Sequence, residues 1–377
     1  MGINGIVDYL KKKLNCHPKV VKLGEFQGKK IAFDGQPQVY ACYKMAVKIH
    51  CENRENLAKN GVNDEEINDL ATRLTCSYYL KFVAVGATPI IIYDGDPLVA
   101  KEDEIANRNK KKAAYKKQID EISASPTPDV DELLKAYRGY MTPPRDFVKK
   151  VMELLKTLGY PVMRAKNEGE QLASELCAQG HADYVYSVDS DCLMYGPRKW
   201  IWWDWRSKEF YEYRMKDILK ALEITHGQFV DLCIMCGCDY NERIFRYAPP
   251  AIHADLHKHG SGSKIISYKK KFDVDTSCLK FEECKKLFEE KDVRDIIHED
   301  SINDMVHAYD KFIKEMNAKR GDIVEQVEEL SSVLMTTIKI ISFSDDVFNH
   351  SLLPSEPTYE NTEDDGIKIP FWERITS

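Results

Sequence analysis

"ADYVYSVDSD" (residues 182–191) is the stretch whose reading decides the fold. It is rich in β-branched and aromatic residues, which reads as a strand, and it ends in Asp189 and Asp191. Carboxylates two positions apart repel one another unless a cation holds them. Two other β-type runs end the same way. "KKIAFD" (29–34) stops at Asp34, and "TPIIIYDGDP" (88–97) reaches Asp94 before a Gly/Pro turn. "RKWIWWDW" (198–205) and "EFYEY" (209–213) read as a hairpin closed by Arg206, Ser207 and Lys208. Helical patterns fall between these runs, at about 36–53, 65–85, 144–158, 168–179 and 226–236. The alternation predicts an α/β fold with a mainly parallel central sheet flanked by helices.

In a parallel sheet the carboxyl ends of the strands share one edge, where ligands bind. Asp34, Asp94 and Asp189 are therefore expected on one edge, with Asp191 beside them. "KNEGEQLAS" (166–174) adds Glu168 and Glu170 at a helix start, where acids also serve as ordinary dipole partners. "LCIMCGCDY" adds Asp239 after an apolar helix and Gly237. Hard oxygen ligands without accompanying His or Cys suit Mg²⁺ or Mn²⁺. Mg²⁺ takes only one or two carboxylates directly, so seven acids fit two ions better than one. Two such ions can clamp a phosphodiester, activate water and stabilise the leaving oxygen.

Composition narrows the class. The chain has 377 residues, 43% hydrophobic and 31% charged, with net charge −7. No apolar stretch is long enough to span a bilayer, and no membrane partner is expected. "MGINGIVDYLKKKL" reads as an amphipathic helix rather than a signal peptide, and Ile6 breaks the myristoylation pattern. Eleven scattered cysteines suggest free thiols in a reducing compartment. Cys233, Cys236 and Cys238 hint at zinc, but buried helix packing is the favoured reading, since no second ligand pair follows. Residues 101–122 carry a weak apolar stripe, with seven Lys/Arg against three acids between Lys101 and Lys117. "SASPTPD" (123–129) breaks this charged excursion, and a second helical stretch follows at about 130–138. Trp200, Trp202, Trp203 and Trp205 alternate on the hairpin, which favours sheet-face packing over base stacking. After about 240 come helices with polar connectors, and the tail from 344 is rich in Ser, Pro, Glu and Asp.

Over roughly residues 1–260 the sequence resembles the flap endonuclease/XPG-type 5′ nuclease family. The matching motifs are "MGINGI", "IAFDGQPQVY", "PIIIYDGDP", "NEGEQLAS", "VDSDCLMYG" and "QFVDLCIMCGCDY". The resemblance implies a PIN-like nuclease core. Asp34, Asp94, Glu168 and Glu170 would serve one metal, and Asp189, Asp191 and Asp239 the other, Asp189 lying between them. It implies that Gly2 lies near the site after Met1 is removed, and that Tyr40 stacks on a base beside the scissile phosphate. Lys101 and Arg108 would contact that phosphate from a helical arch, with Lys110, Lys111 and Lys112 as generic phosphate contacts and Gly237 among the DNA-binding positions.

The implied organisation is a nuclease core at 1–100 and 141–240, an arch at 101–140, a DNA-binding helical region at 241–343 and a tail at 344–377. The expected activity is metal-dependent cleavage of DNA at 5′ flaps, ends or gaps by a monomer in the nucleus. The alternatives are a 5′→3′ exonuclease on DNA or RNA, and a binding protein that has lost catalysis. Two departures stand out. "IFRYAPPAI" (244–252) lacks both glycines of the family's I-R-G-I-G-P turn, which puts a close backbone approach to phosphate in question and leaves K⁺ binding there open. "IPFWERITS" lacks the sliding-clamp peptide pattern, which leaves a clamp partner open. A reduced member of this kind fits a large DNA virus, whose enzyme would work in the host nucleus.

Overall fold

Lys30–Asp34 (β2) pairs in parallel with Thr88–Tyr93 (β3) on one side and Tyr184–Tyr186 (β5) on the other. This computed structural model describes residues 2–13, 16–51, 57, 60–96, 102–204, 207–289 and isolated positions between 304 and 314. The parallel arrangement continues outward from β3 to β4 (Val162–Arg164) and from β5 to β6 (Lys199–Asp204). Beyond β6 the direction reverses: β7 (Glu209–Arg214) is antiparallel to β6, and β1 (Lys19–Val21) is antiparallel to β7. The result is a mixed seven-stranded sheet in the order β1-β7-β6-β5-β2-β3-β4. Around it lie α1 (Ile6–Lys13), α2 (Gly35–Cys51), α3 (Asp64–Ala84), α4 (Glu102–Ser123), α5 (Val130–Tyr140), α6 (Arg145–Thr157), α7 (Gly169–Gln179), α8 (Met215–Leu222), α9 (His226–Cys236), α10 (Pro249–His259), α11 (Gly262–Lys270) and α12 (Phe281–Glu289).

Strand side chains alternate between two cores. Ala32, Ile90, Ile92, Val185 and Trp200 join α1, α7 and α9 on one face. Ile31, Phe33, Ile91, Tyr93, Tyr186 and Ile201 join α2, α3 and α6 on the other. A parallel sheet covered on both faces needs apolar residues at every strand position, which is why "AF" and "IIIY" are continuous rather than alternating. The aromatic residues split the same way. Trp200 and Trp202 stack at 4.3 Å, with Tyr211 and Tyr213 beside them, while Trp203 meets Phe210 on the opposite face at 4.7 Å. Sheet packing thus accounts for these three tryptophans; Trp205 and Arg206 lie outside the described residues.

The strands are shorter than the sequence pattern suggests. β5 stops at Tyr186 because polar side chains take over the backbone. Ser187 Oγ accepts the Asp189 N–H (3.0 Å), and Asp189 Oδ1 accepts the Asp191 N–H (3.1 Å), capping a 3₁₀ turn at Ser190–Tyr195. β3 likewise stops at Tyr93, and Gly95 and Asp96 donate instead to Asn167 and Lys166 carbonyls. The short strands β1 and β4 had no separate signal in the sequence.

The 101–140 excursion consists of α4 and α5. Most of α4 is exposed, and Ile119 is its buried anchor among the described residues. Asp129 caps α5 by accepting the N–H groups of Asp131 and Glu132. At 244–248 the turn keeps a left-handed residue without glycine: Arg246 has φ 57°. That conformation costs a side-chain-bearing residue about 1 kcal/mol. It is held in place by Tyr247, whose hydroxyl donates to Asp255 (2.5 Å), and by Lys269, which pairs with Asp255 at 3.3 Å.

Candidate metal centre and its surroundings

Asp34 is the last residue of β2, and Asp94 directly follows β3. Glu168 is the N-cap of α7, and Glu170 lies in its first turn. Gly169 ties these two elements together by donating its N–H to Asp94 Oδ1 at 2.8 Å. Asp189 and Asp191 flank the start of the 3₁₀ turn, and Asp239 follows α9. Oxygens of Asp189, Asp191 and Asp239 lie within 4.8 Å of one another.

The other acids are joined electrostatically. Asp34 is buried, and its carboxyl is held well above the usual carboxylate range. Burial is the largest cause, followed by the charge of Asp94; the hydrogen bond from Ser187 (3.0 Å) opposes the shift, and Asp189 and Glu168 add to it. Tyr240, itself buried, lies among Glu168, Glu170, Asp191 and Asp239. Its phenol is pushed up first by burial and then by those four charges. Cys192 lies beneath the same set, and its thiol is raised by burial and by Glu170, Asp189, Asp34 and Asp191. All seven carboxylates foreseen from sequence are thus brought to one edge of the sheet.

An all-carboxylate donor set with Asp191 1% exposed and Asp34 5% exposed fits hard divalent cations. Without a countercharge, acids gathered this closely repel one another, and Asp34 is raised by burial and by Asp94. Cys233 and Cys236 sit on α9 and are fully buried, with thiols raised by burial, that of Cys236 to about 12. They pack as apolar groups inside the helix core.

The chain terminus lies against this edge. Ile3 donates its N–H to Ser190 Oγ at 2.9 Å, and Asn4 donates to the Gly237 carbonyl at 3.3 Å. A Cβ on Gly2 would stand 2.5 Å from Ser190 Oγ and 2.9 Å from Asp189 Oδ1, so no larger residue fits there. Gly237 has φ 89°, and a Cβ on it would meet Asn4 Nδ2 at 2.8 Å. Its positive φ accounts for the glycine, with the N-terminal segment close beside it.

Tyr40 on α2 joins the carboxylate edge to the arch. Burial raises its phenol; Arg108 and Arg145 oppose the shift, and Asp94 adds to it. Arg108 on α4 is exposed, as are Lys110 and Lys111. Lys112 turns back to the base of the arch, donating to Thr142 Oγ1 at 3.0 Å with its ammonium 5.4 Å from the Tyr140 ring. Lys101 lies outside the described residues. Sequence reasoning missed Ser187, Ser190, Arg145 and Tyr240. Only Tyr240 had a local signal, its position next to Asp239.

Known proteins match the same segments of the chain. The XPG N-terminal domain family matches residues 1–115, and the XPG I-region family matches residues 159–239. Flap endonuclease 1-1 of Paramecium tetraurelia is 28% identical over 281 residues, covering 73% of this chain and 69% of the relative. Flap endonuclease 1 of Lodderomyces elongisporus is 27% identical over 274 residues, covering 71% and 68%. Flap endonuclease-1 from Methanococcus jannaschii has the same fold, with a TM-score of 0.53 at 19% identity over 82% of this chain and 99% of that one. Two matched domains that together span more than half of the sequence, and that bracket the seven converging carboxylates, place the chain in the flap endonuclease/XPG family of structure-specific 5′ nucleases.

Proposed function

We propose that this protein hydrolyses phosphodiester bonds in DNA at 5′ flaps, ends or gaps with the help of two Mg²⁺ ions, Mn²⁺ serving in their place. The observation that supports this most is the meeting of Asp34, Asp94, Glu168 and Glu170 with Asp189, Asp191 and Asp239 at one sheet edge. Asp34, Asp94, Glu168 and Glu170 would hold one ion, and Asp189, Asp191 and Asp239 the other. A bound pair supplies water activation and leaving-oxygen stabilisation.

The chain's own residues do the rest. Ser187 keeps Asp34 oriented through its 3.0 Å hydrogen bond, and Asp189 is fixed by capping the turn at Ser190. Gly2 lets the N-terminal segment pack directly against Asp189 and Ser190, beside the metal positions. Tyr40 offers a ring for the base next to the scissile bond, and Lys101 and Arg108 neutralise the phosphate from the arch. Residues 101–140 act as the arch between nuclease segments 1–100 and 141–240. The region 241–343 grips duplex backbone, and the tail at 344–377 lies outside the described residues. The protein acts as a monomer in a nucleus. Lys110 and Lys111 add general phosphate attraction, and Lys112 serves chiefly to brace the arch.

Incubating the protein in Mg²⁺ with a labelled 5′ flap, a nicked duplex and single-stranded RNA tests this reading through the product lengths. A discrete product at the flap junction is expected. A ladder from the 5′ end of every substrate would establish the exonuclease alternative instead. Binding without cleavage in both Mg²⁺ and Mn²⁺ would make the chain a non-catalytic binding protein.

A further inference from the structure

The helical hairpin formed by α10 and α11 carries a surface that the metal centre does not use. Between Asp255 and Asp273 the sequence has five lysines, Lys258, Lys264, Lys269, Lys270 and Lys271, and no carboxylate. This is a local reversal in a chain of net charge −7. Lys269 is turned inward to Asp255 and the Tyr247 ring, while the other four lysines are exposed. An aromatic ladder runs through this basic surface. His259 lies 4.5 Å from Tyr268, and Tyr268 lies 5.1 Å from Phe272, with the Lys258 ammonium 5.2 Å from the Tyr268 ring. The ladder ends in the open: Phe272 is 64% exposed.

We propose that Phe272, at the end of this ladder, is a stacking platform for an unpaired DNA base, with Lys258, Lys264, Lys270 and Lys271 taking the flanking phosphates. The inference rests on the DNA-processing reading above and adds a single-stranded segment, bound away from the metal centre, to the substrate. Charge complementarity selects a polyanion. The open ring selects one with accessible base faces, because duplex bases are already covered by their neighbours. Asp273 and Asp275 follow at once and limit the patch on that side. The Phe272 ring is tilted 57° to Tyr268, which backs it on one side and leaves the rest of it open to a base.

The test measures fluorescence anisotropy of a labelled oligothymidylate and of a blunt duplex in EDTA, so that the metal centre contributes no chemistry. Phe272→Ala and Phe272→Leu should each weaken oligothymidylate binding about tenfold, Phe272→Trp should retain it, and duplex affinity should stay within about twofold throughout. Replacing Lys258, Lys270 and Lys271 by Gln should weaken both ligands and flatten the salt dependence. Wild-type affinity in Phe272→Leu, or an equal loss for oligothymidylate and duplex, overturns the platform. A protein dimer in sedimentation that Phe272→Ala abolishes would assign the ring to a second copy and overturn it too. Mg²⁺-dependent flap cleavage by Phe272→Ala separates the two readings: retained cleavage leaves the nuclease function standing whatever the fate of the platform.

Discussion

The carboxylate edge of the sheet and the α10–α11 hairpin handle charge in opposite ways. At the sheet edge, Asp34, Glu170 and Asp191 are buried beside one another, against the tendency of like charges to separate. At the hairpin, lysines stand in solvent on helices whose apolar sides are already packed. Exposed cations of this kind cost the fold little and attract a polyanion at range. Buried acids are stable only when backbone donors and a countercharge hold them. On the proposed function the edge would carry the chemistry and the hairpin the grip, and substitutions in the two regions should then fail differently.

The sharpest way to break this contrast is Asp189→Ala. Asp189 adjoins Asp191 and Asp239 and also raises Asp34, so its loss touches both proposed ion positions. Cleavage in Mg²⁺ should fall by at least about a thousandfold, while flap binding measured in Ca²⁺ stays within a few fold. Cleavage close to the wild-type rate would remove Asp189 from the site.

Arg108→Ala asks whether an arch residue belongs with the chemistry or with grip, because Arg108 and Asp94 act on Tyr40 in opposite directions. Single-turnover cleavage at saturating protein should slow by roughly tenfold to a hundredfold, with a smaller change in affinity. Lys101→Ala is expected to behave in the same way. If either variant recovers full rate at saturation, that residue belongs with the grip rather than the chemistry.

The smallest expected effect lies in the joint under α10. His253 accepts from the Tyr9 hydroxyl at 2.7 Å through Nδ1, and its Nε2 donates to the Leu222 carbonyl at 2.6 Å, with His257 Nε2 3.0 Å away. Its imidazole is held below the ordinary value of 6.5 by burial, with the Leu222 bond and Glu223 opposing and His257 assisting. The unfolded chain therefore binds this proton first. The joint's contribution is present above pH 6.5 and is lost as pH falls through the folded value. The loss should be on the order of 1 kcal/mol or less, since His257 opens the cluster to solvent screening. Melting curves between pH 8 and pH 5, taken in EDTA, should show a smaller acid-side decline for His253→Gln. An unchanged decline would place the titration elsewhere.

Much of the catalytic region was legible because its signals are local. "KIAFD" and "TPIIIYD" announce buried parallel strands with an acid at the carboxyl end, and such ends must share an edge. The helix starting at Gly169 and the excursion at 101–140 were readable from caps, periodicity and charge. The exact strand ends were not, because Ser187 and Asp189 divert the backbone by side-chain bonds that a β-rich composition conceals.

The sequence by itself determined the α/β alternation, the placement of Asp34, Asp94 and Asp189 at the ends of apolar runs, and the basic excess of residues 101–117 and of the hairpin. Each of these depends on residues close together along the chain. Tertiary structure alone decided that Gly2 and Ile3 lie against Ser190, that Tyr240 stands among four acids, and that His259, Tyr268 and Phe272 form one ladder. It also decided that Arg246 holds a left-handed turn once Tyr247, Asp255 and Lys269 brace it. The physical reason is that these contacts join separate elements: the Ile3–Ser190 bond spans 187 positions, and it exists only after the sheet and its helices have packed.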